Sequence, residues 1–147
     1  MKEIYSKNLI YREVDGTDEQ IEILYDLLKK RKYSISHTEL PSFSDHREFV
    51  DKNPYRYWFL IYLSEEILGN FYIQFDNSIG INIVNPKSDT VNEVIGFIKR
   101  NFKPQKAVLS KIPPYFHVNV PESNAEMKSI LDALALSPIQ ITYKLNL

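Results

Sequence analysis

An uninterrupted apolar and aromatic run, Tyr57–Leu63, constrains the fold of this chain more than any other segment. A strand that is apolar at every position must be covered on both faces, as in the centre of a sheet flanked by helices. Short polar turns at residues 65–66 and 76–78 lead from it into two further strand patterns, at residues 67–75 and 79–84. Three strands joined by short turns predict an antiparallel meander.

Two helical patterns precede the meander. A strand pattern over residues 9–14 is followed by Thr17 and Gln20, whose spacing is that of a capping box at a helix start. Apolar residues then recur at helical spacing, so we predict a first helix near residues 17–32. Residues 44–52 predict a second, shorter helix that ends before an Asn-Pro pair.

A third helix is predicted directly after the meander. Residues 90–102 carry an apolar stripe at helical spacing. Thr90 and Glu93 have the spacing of another capping box, so we expect the helix to begin at Thr90 with that side chain accepting from an amide near Glu93.

The last third of the chain repeats the alternation of strand and helix. Residues 115–120 predict a strand, and a further capping box at residues 123–126 predicts the start of a fourth helix. Residues 139–145 alternate apolar and polar side chains, which is typical of a half-buried strand.

Composition limits the classes of protein that are consistent with these patterns. With 147 residues, 44% hydrophobic and 25% charged, the chain fits one globular domain over residues 1–147. The net charge is -1 and the basic residues are dispersed, so we expect no nucleic-acid partner. No apolar run approaches the roughly 20 residues that span a bilayer, and we expect a soluble, cytoplasmic protein without a membrane partner.

Metal and thiol chemistry are also not expected. The chain has no cysteine, which removes disulfides, thiol nucleophiles and cysteine-based metal sites. Its three histidines, at positions 37, 46 and 117, do not have the spacing of a metal motif, so we predict no metal ligands.

The order of elements resembles that of the GCN5-related N-acetyltransferase (GNAT) family over nearly the whole chain. Locally, SFSDHREFV followed by PYRYWFLIYL resembles members that acylate amino sugars, and VPESNAEMKSILDALAL followed by IQITYKL resembles the ending of the family fold. The resemblance implies an α/β (α+β) fold with a mixed, largely antiparallel central sheet flanked by helices. It also implies transfer of an acetyl group from acetyl-CoA to a small amine, such as an amino sugar.

The resemblance assigns a cofactor side to the junction between the meander and the third helix. Family members hold the coenzyme A diphosphate there on a glycine-rich loop, where backbone amides approach the phosphates. The corresponding residues here, DTVNEV, contain no glycine. The resemblance places coenzyme A between the strands that end at Val84 and Val120, with its diphosphate near Lys87, Ser88 and the first amides of the helix that starts at Thr90. Asn124 would lie beside the pantetheine.

Candidate acid, base and acceptor residues follow from the same comparison. An attacking amine must be neutral, which requires a base or a chain of waters. His117 lies in a strand that borders the catalytic cleft in this family, and it is our first choice for the base; the alternative is a hydrogen-bonded structural histidine. His37, His46 and Tyr55 lie in segments that form the acceptor side of the family fold, so we expect them to contact the substrate.

Two functions remain open. The first is an acetyl-CoA-dependent N-acetyltransferase, which the acceptor-side motif SFSDHREFV favours. The second is a protein of the same fold that has lost catalysis and serves in binding or structure, which the missing glycine loop favours. The sequence leaves the acceptor and the oligomeric state undetermined.

Overall fold

The computed structural model describes residues 2–32 and 39–146, and within them six strands form one sheet in sequence order. The strands are β1 (Glu3–Ser6), β2 (Leu9–Glu13), β3 (Tyr57–Leu63), β4 (Glu66–Ile73), β5 (Ser78–Ile83) and β6 (His117–Val118). Every neighbouring pair is antiparallel except β5 and β6, which are parallel. The predicted mixed, largely antiparallel sheet with its central meander is confirmed.

Four helices are present among the described residues. They are α1 (Asp18–Lys29), α2 (Phe43–Lys52), α3 (Ser88–Asn101) and α4 (Ala125–Ala133). The Thr17 side chain accepts from the Gln20 amide at 3.2 Å, which confirms the predicted start of α1. No helix in the described part of the chain is long and apolar enough to cross a membrane.

The helices cover both faces of the sheet, and this explains the continuous apolar run of β3. Because successive strand residues point to opposite faces, β3 contributes to two cores. Phe59 and Ile61 pack with α3 and α4 on one face, in the larger core. Trp58, Leu60 and Tyr62 pack with α1 and α2 on the other.

The start of α3 differs from the sequence prediction. The helix begins at Ser88, two residues before Thr90. Lys87 occupies the N-cap position, and its side chain makes no capping hydrogen bond with any described residue. The predicted capping box of Thr90 and Glu93 is therefore wrong, because the Glu93 carboxylate binds other residues.

Glu93 joins α3 to a hairpin that the sequence patterns did not reveal. Its carboxylate accepts from Ser6 Oγ at 3.1 Å and from the Arg100 guanidinium at 3.0 Å, and it lies 3.2 Å from Lys7 Nζ. Burial raises the pKa of Glu93, but Lys7, Ser6 and Arg100 outweigh that effect and hold the pKa below its ordinary value. The β1–β2 hairpin supplies two of these partners, so tertiary contacts override the local capping pattern.

Two further predictions near the end of the chain are corrected. Asn124, and not the Ser123–Glu126 pair, caps α4, since its Oδ1 accepts from the Met127 amide at 3.0 Å. The predicted strand over residues 139–145 pairs with no described strand. Strand pairing needs a partner edge, which a local alternation of side chains does not provide.

Asn77 holds β6 beside β5. It is fully buried in the turn between β4 and β5, with a left-handed φ of 70°. Its Nδ2 donates to the carbonyls of Gln105 at 3.0 Å and Pro113 at 2.9 Å, and its Oδ1 accepts from the Gln105 amide at 2.6 Å. Its own carbonyl accepts from the His117 amide at 3.1 Å, so one residue fixes both the loop after α3 and the start of β6.

Substitution of Asn77 tests this role. Asn77→Ala should lower the free energy of unfolding by about 3 kcal/mol, because buried partners are left unsatisfied and alanine is strained at this φ. Asn77→Gly accepts the backbone conformation and should be about 1 kcal/mol more stable than Asn77→Ala. Urea denaturation measures both differences. Asn92→Ala, on the exposed face of α3, serves as the control; equal stability of Asn77→Ala and the wild type would contradict the role.

Candidate active site

A cleft opens where β5 and β6 separate. Ser78 and Ile79 pair with His117 and Val118, and no later residue of β5 pairs with a described residue of β6. β5 nevertheless continues to Ile83, with its other edge bonded to β4. The edge of β5 that faces the cleft therefore leaves backbone groups available to a ligand.

A cavity of about 660 Å³ lies along this opening, within the range of small-molecule sites. Its strand wall, from β5, the residues after β6 and the start of α4, consists of residues 80–84, 86, 119–121, 124, 126 and 127. Its helical wall, from α1, α2 and adjoining loops, consists of residues 24, 27, 28, 30–32, 41, 45, 46 and 49. Its floor, between the walls, consists of residues 54, 55, 58, 70, 72 and 74.

Aromatic side chains form the floor. Tyr55 and Tyr72 stack with their ring centroids 3.9 Å apart and nearly parallel. Trp58 Nε1 donates to Asn70 Oδ1 at 3.2 Å, which satisfies both buried polar groups. A Cβ at Gly80 would lie 2.2 Å from Tyr72 Cζ, so the absence of a side chain there gives the ring its place beside the open edge of β5.

The tyrosine hydroxyls provide proton donors at the floor. Burial, followed by the neighbouring Tyr72, raises the pKa of Tyr55 well above its ordinary value. The Tyr55 phenol consequently stays protonated at neutral pH and can donate a hydrogen bond or a proton. The Tyr72 hydroxyl lies next to Gly80 on the strand wall, where a Cβ would come within 2.5 Å of Oη.

His46 provides a proton acceptor on the helical wall. The residue is 3% exposed, and its Nε2 lies 2.9 Å from the carbonyl oxygen of Ile21. Because a carbonyl oxygen only accepts, Nε2 carries the proton and Nδ1 keeps its lone pair. Burial lowers the pKa of His46, although the bond to Ile21 opposes this effect. The ring is therefore neutral near pH 7 and able to accept a proton.

Charged residues lie at the ends of the helical and strand walls. Lys30, Arg31 and Lys32 follow one another directly after α1. Asp45 and Glu126 contribute the carboxylates of the cavity lining. Cations outnumber carboxylates among the described lining residues, so the cavity attracts negatively charged groups more than positively charged ones.

Only some of the residues predicted for the cofactor side line the cavity. Val84 and Asn124 line the cavity. Lys87 and Ser88 are exposed and lie directly after the strand wall, at the first turn of α3. Thr90 instead borders a separate hollow of about 100 Å³.

The residues predicted for catalysis and for the acceptor are also divided. His46 and Tyr55 line the cavity, whereas His37 lies outside the described residues. His117 is not among the described residues that line the cavity. It faces Ser78 at the start of β6, and its Nδ1 is buried without a hydrogen-bond partner in the described part of the chain. The assignment of His117 as the base stays a prediction, and the residues that line the cavity do not support it.

Several lining residues, Asn70, Tyr72 and Gly80 among them, were not identified from the sequence. Asn70, Tyr72 and Gly80 come together only when β4 and β5 pair, since Tyr72 lies opposite Gly80 in the register. An isolated glycine within an apolar strand indicates a close approach of another group, so Gly80 carried a usable signal. The identity of that group was not accessible without the strand register.

Comparisons by sequence identify no relative. No protein-family model matches the chain, and no curated protein matches it.

Comparisons of structure identify similar folds. An acetyltransferase from Salmonella typhimurium that modifies the N-terminal serine of a 50S ribosomal subunit protein is 16% identical, with a TM-score of 0.56, covering 87% of this chain and 80% of that one. RimL, a ribosomal-protein alpha-N-acetyltransferase in complex with coenzyme A, is 15% identical, with a TM-score of 0.61 and coverages of 90% and 82%.

A third similar structure acts on a different kind of acceptor. An aminoglycoside acetyltransferase from an uncultured soil metagenomic sample, in complex with sisomicin, is 12% identical, with a TM-score of 0.51 and coverages of 95% and 97%. At these identities the likeness concerns the fold. The fold of this chain is that of the GNAT acetyltransferases.

The lowered pKa of His46 predicts a pH dependence of stability. The unfolded chain binds a proton near the ordinary histidine pKa of 6.5, whereas the folded chain does so only at lower pH. The free energy of unfolding should therefore fall as the pH drops from 6.5 towards the folded pKa of His46. Above pH 6.5, His46 should cost the folded chain no stability. The carboxylates whose pKa is lowered, Glu93 and Asp76 among them, change their protonation at lower pH than this interval.

His46→Gln isolates this contribution, because the glutamine amide can still donate to the Ile21 carbonyl while it does not titrate. We expect stability at pH 7 within about 1 kcal/mol of the wild type and a flatter profile between pH 7 and pH 5. Urea denaturation at three pH values in that interval measures the slope. The same slope in variant and wild type would contradict the assignment.

Proposed function

We propose that this chain, with its GNAT fold, is an N-acetyltransferase that uses acetyl-CoA and a small amine. The observation that carries the proposal is the separation of β5 from β6, which leaves the edge of β5 open along a cavity between the start of α3 and the aromatic floor. One end of this cavity suits an extended donor molecule, and the other suits an acceptor. A similar structure, RimL, is in complex with coenzyme A.

The residues of the strand wall fit the pantetheine part of the donor. Its amides can bond the open edge of β5 near Val84, as an added strand would. Residues 119–121 and Asn124 form the opposite side of that channel. The side-chain oxygen of Asn124 is already used to cap α4, so its free amide is the group available to a ligand.

The first turn of α3 fits the diphosphate. Lys87 at the N-cap makes no capping hydrogen bond with described residues, and Glu93 is bound by the β1–β2 hairpin. The first amides of α3, with Ser88, are thus available to an anion, as the helix dipole favours. The negative charge of Asp89 in the first turn repels a bound anion, and the positive charge of Lys87 offsets this repulsion. A backbone site of this kind can bind phosphate without the family glycines.

Bound acetyl-CoA would supply an activated acyl group as a thioester. His46 Nδ1 is suited to take the proton of the acceptor amine, because the ring is neutral and fixed by Ile21. With that proton removed, the amine nitrogen would bond to the carbonyl carbon of the thioester and the carbon–sulfur bond would break. The Tyr72 hydroxyl, beside the open edge of β5, is suited to protonate the leaving sulfur.

The acceptor is proposed to be an amino sugar or a similarly sized amine. Tyr55, Tyr72 and Trp58 offer flat apolar surfaces for a sugar ring. Lys30, Arg31 and Lys32, directly after α1, favour an acceptor that also carries an anionic group, and disfavour a polycation.

A second candidate is a non-catalytic binding protein of the same fold. The absence of the family glycines and the presence of Asp89 in the first turn of α3 favour it. The two candidates differ in whether the chain binds the acyl donor.

Calorimetric titration with acetyl-CoA separates the two candidates. We expect saturable binding, weakened by roughly 3- to 10-fold in Lys87→Ala, because a cation near the diphosphate is removed. Lys99→Ala, at the opposite end of α3, is the matched control and should bind as the wild type does. A folded protein that releases no heat at millimolar acetyl-CoA would exclude the transferase and leave the binding protein.

Steady-state kinetics test the acid and the base. His46→Gln and Tyr72→Phe should each lower kcat by about 10²- to 10⁴-fold while the Kd for acetyl-CoA changes little. Tyr115→Phe, at an exposed tyrosine outside the cavity lining, is the control for Tyr72 and should retain full kcat. The assay uses amino sugars with and without a phosphate group. An unchanged kcat in His46→Gln would show that His46 is not the base, and His117 would then be the next residue to test.

A further inference from the structure

Residues 105–113, between α3 and β6, form a loop whose two ends are held by one buried side chain. Asn77 Nδ2 donates to the carbonyls of Gln105 and Pro113, and its Oδ1 accepts from the Gln105 amide. The ends of the loop therefore lie close together, as in the compact surface loops that often carry function. Residues 103–111 are all exposed, so the loop adds little to either core.

A tight turn within the loop holds apolar side chains in water. The Val108 and Ile112 backbones exchange hydrogen bonds of 3.0 and 2.8 Å, and Ser110 takes a left-handed φ of 63° between them. Leu109 is 95% exposed and Val108 is 47% exposed, and these two residues form the apolar tip of the loop. One exposed leucine is ordinary on a protein surface. Here, however, Asn77 and the turn both fix the position of the leucine, so its exposure is a property of the fold.

Four cations without ion-pair partners accompany the apolar tip. Lys103, Lys106 and Lys111 lie in the chain on either side of it. Arg56, directly before β3, joins them, since its Nη1 donates to the Lys103 carbonyl at 2.9 Å. None of the four forms an ion pair with a described residue. Because residues 94–121 also contain no Asp or Glu, the tip lies in an excess of positive charge.

An anionic membrane surface fits this loop better than a protein groove does. A specific protein interface covers about 800 Å² on each partner, whereas the apolar tip offers two side chains on a turn. A bilayer surface needs no matching pocket, because a small apolar insertion and several lysines near acidic headgroups together give reversible binding. The carboxylate of Asp76 lies next to Asn77, where its Oδ1 accepts from the Ser78 amide at 2.9 Å. That negative charge is therefore held at the base of the loop and not at its tip.

We propose that residues 105–113 bind the surface of a membrane that contains anionic lipids, with the apolar tip among the acyl chains and the four cations at the headgroups. Binding of this kind needs no apolar run of spanning length. The expectation of no membrane partner rests on the lack of such a run, and it therefore does not extend to this loop. No residue of 103–114 is among the described residues that line the cavity, so the proposal is independent of the acetyl transfer.

Sedimentation with lipid vesicles tests the proposal on the full chain. The wild type should bind vesicles of phosphatidylcholine and phosphatidylserine, and it should bind phosphatidylcholine alone roughly 10-fold or more weakly, because the acidic headgroups attract the cations. Salt should weaken the binding, since it screens that attraction. Leu109→Asp should weaken it by roughly 30-fold or more, because it removes the aliphatic side chain and adds a repelled charge. Lys106→Gln should weaken it by roughly 5-fold.

Two exposed residues outside the loop serve as matched controls. Leu145→Asp makes the same change as Leu109→Asp at a leucine that is 85% exposed. Lys128→Gln, at an exposed position of α4, matches Lys106→Gln. Both controls should bind vesicles as the wild type does. Because all four substitutions are at exposed positions, circular dichroism should show an unchanged fold in each variant.

Three results would overturn the proposal. They are a wild type that stays in solution with phosphatidylserine vesicles at low salt, equal binding to both kinds of vesicle, and a Leu109→Asp variant that binds as well as Leu145→Asp. Binding of soluble poly-glutamate without binding of vesicles would assign the loop to an acidic protein partner, and it would overturn the proposal as well.

Discussion

The hydrogen bonds of Asn77 determine where the sheet ends and the cleft begins. β6 is only two residues long, too short to be held by its own ladder. The buried Asn77 side chain ties the loop that precedes β6 to the turn between β4 and β5, and its carbonyl receives the first amide of the strand. The parallel pairing is thereby confined to the start of β5. Beyond Ile79, β5 pairs with no described residue of β6, which leaves the edge of β5 open along the cavity.

The cavity depends equally on how the two faces of β3 are divided. The larger core, with Phe59 and α3, gives the sheet a rigid back. On the other face, α1 and α2 leave room above the floor of Tyr55, Tyr72 and Trp58. Burial in this smaller core also lowers the pKa of His46 and raises that of Tyr55. The same burial that stabilises the layer therefore keeps a neutral acceptor and a protonated donor facing one cavity.

The environment of Glu93 changes the interpretation of the start of α3. From the sequence, Thr90 and Glu93 would occupy the amides that a diphosphate needs. In the folded chain the Glu93 carboxylate is paired with Lys7 and Arg100, and the helix begins earlier, at Ser88. The charge that would oppose an anion is thus reduced to Asp89. Because Ser6 and Lys7 of the β1–β2 hairpin bind Glu93, this residue no longer occupies the amides that a phosphate would need.

The sequence by itself determined the elements whose signals are local. The periodicity of apolar residues located β3, the meander and the helices, and the Thr17 cap located the start of α1, since these depend on neighbours within a few residues. Among the residues that line the cavity, it named His46, Tyr55, Val84 and Asn124 as candidates. Only the tertiary structure decided that Tyr72 lies over Gly80, that His117 is not among the described residues lining the cavity, and that Glu93 binds a hairpin. It also decided that residues 139–145 lack a partner within the described chain. Strand register and pairing join residues far apart in sequence, so no local pattern specifies them.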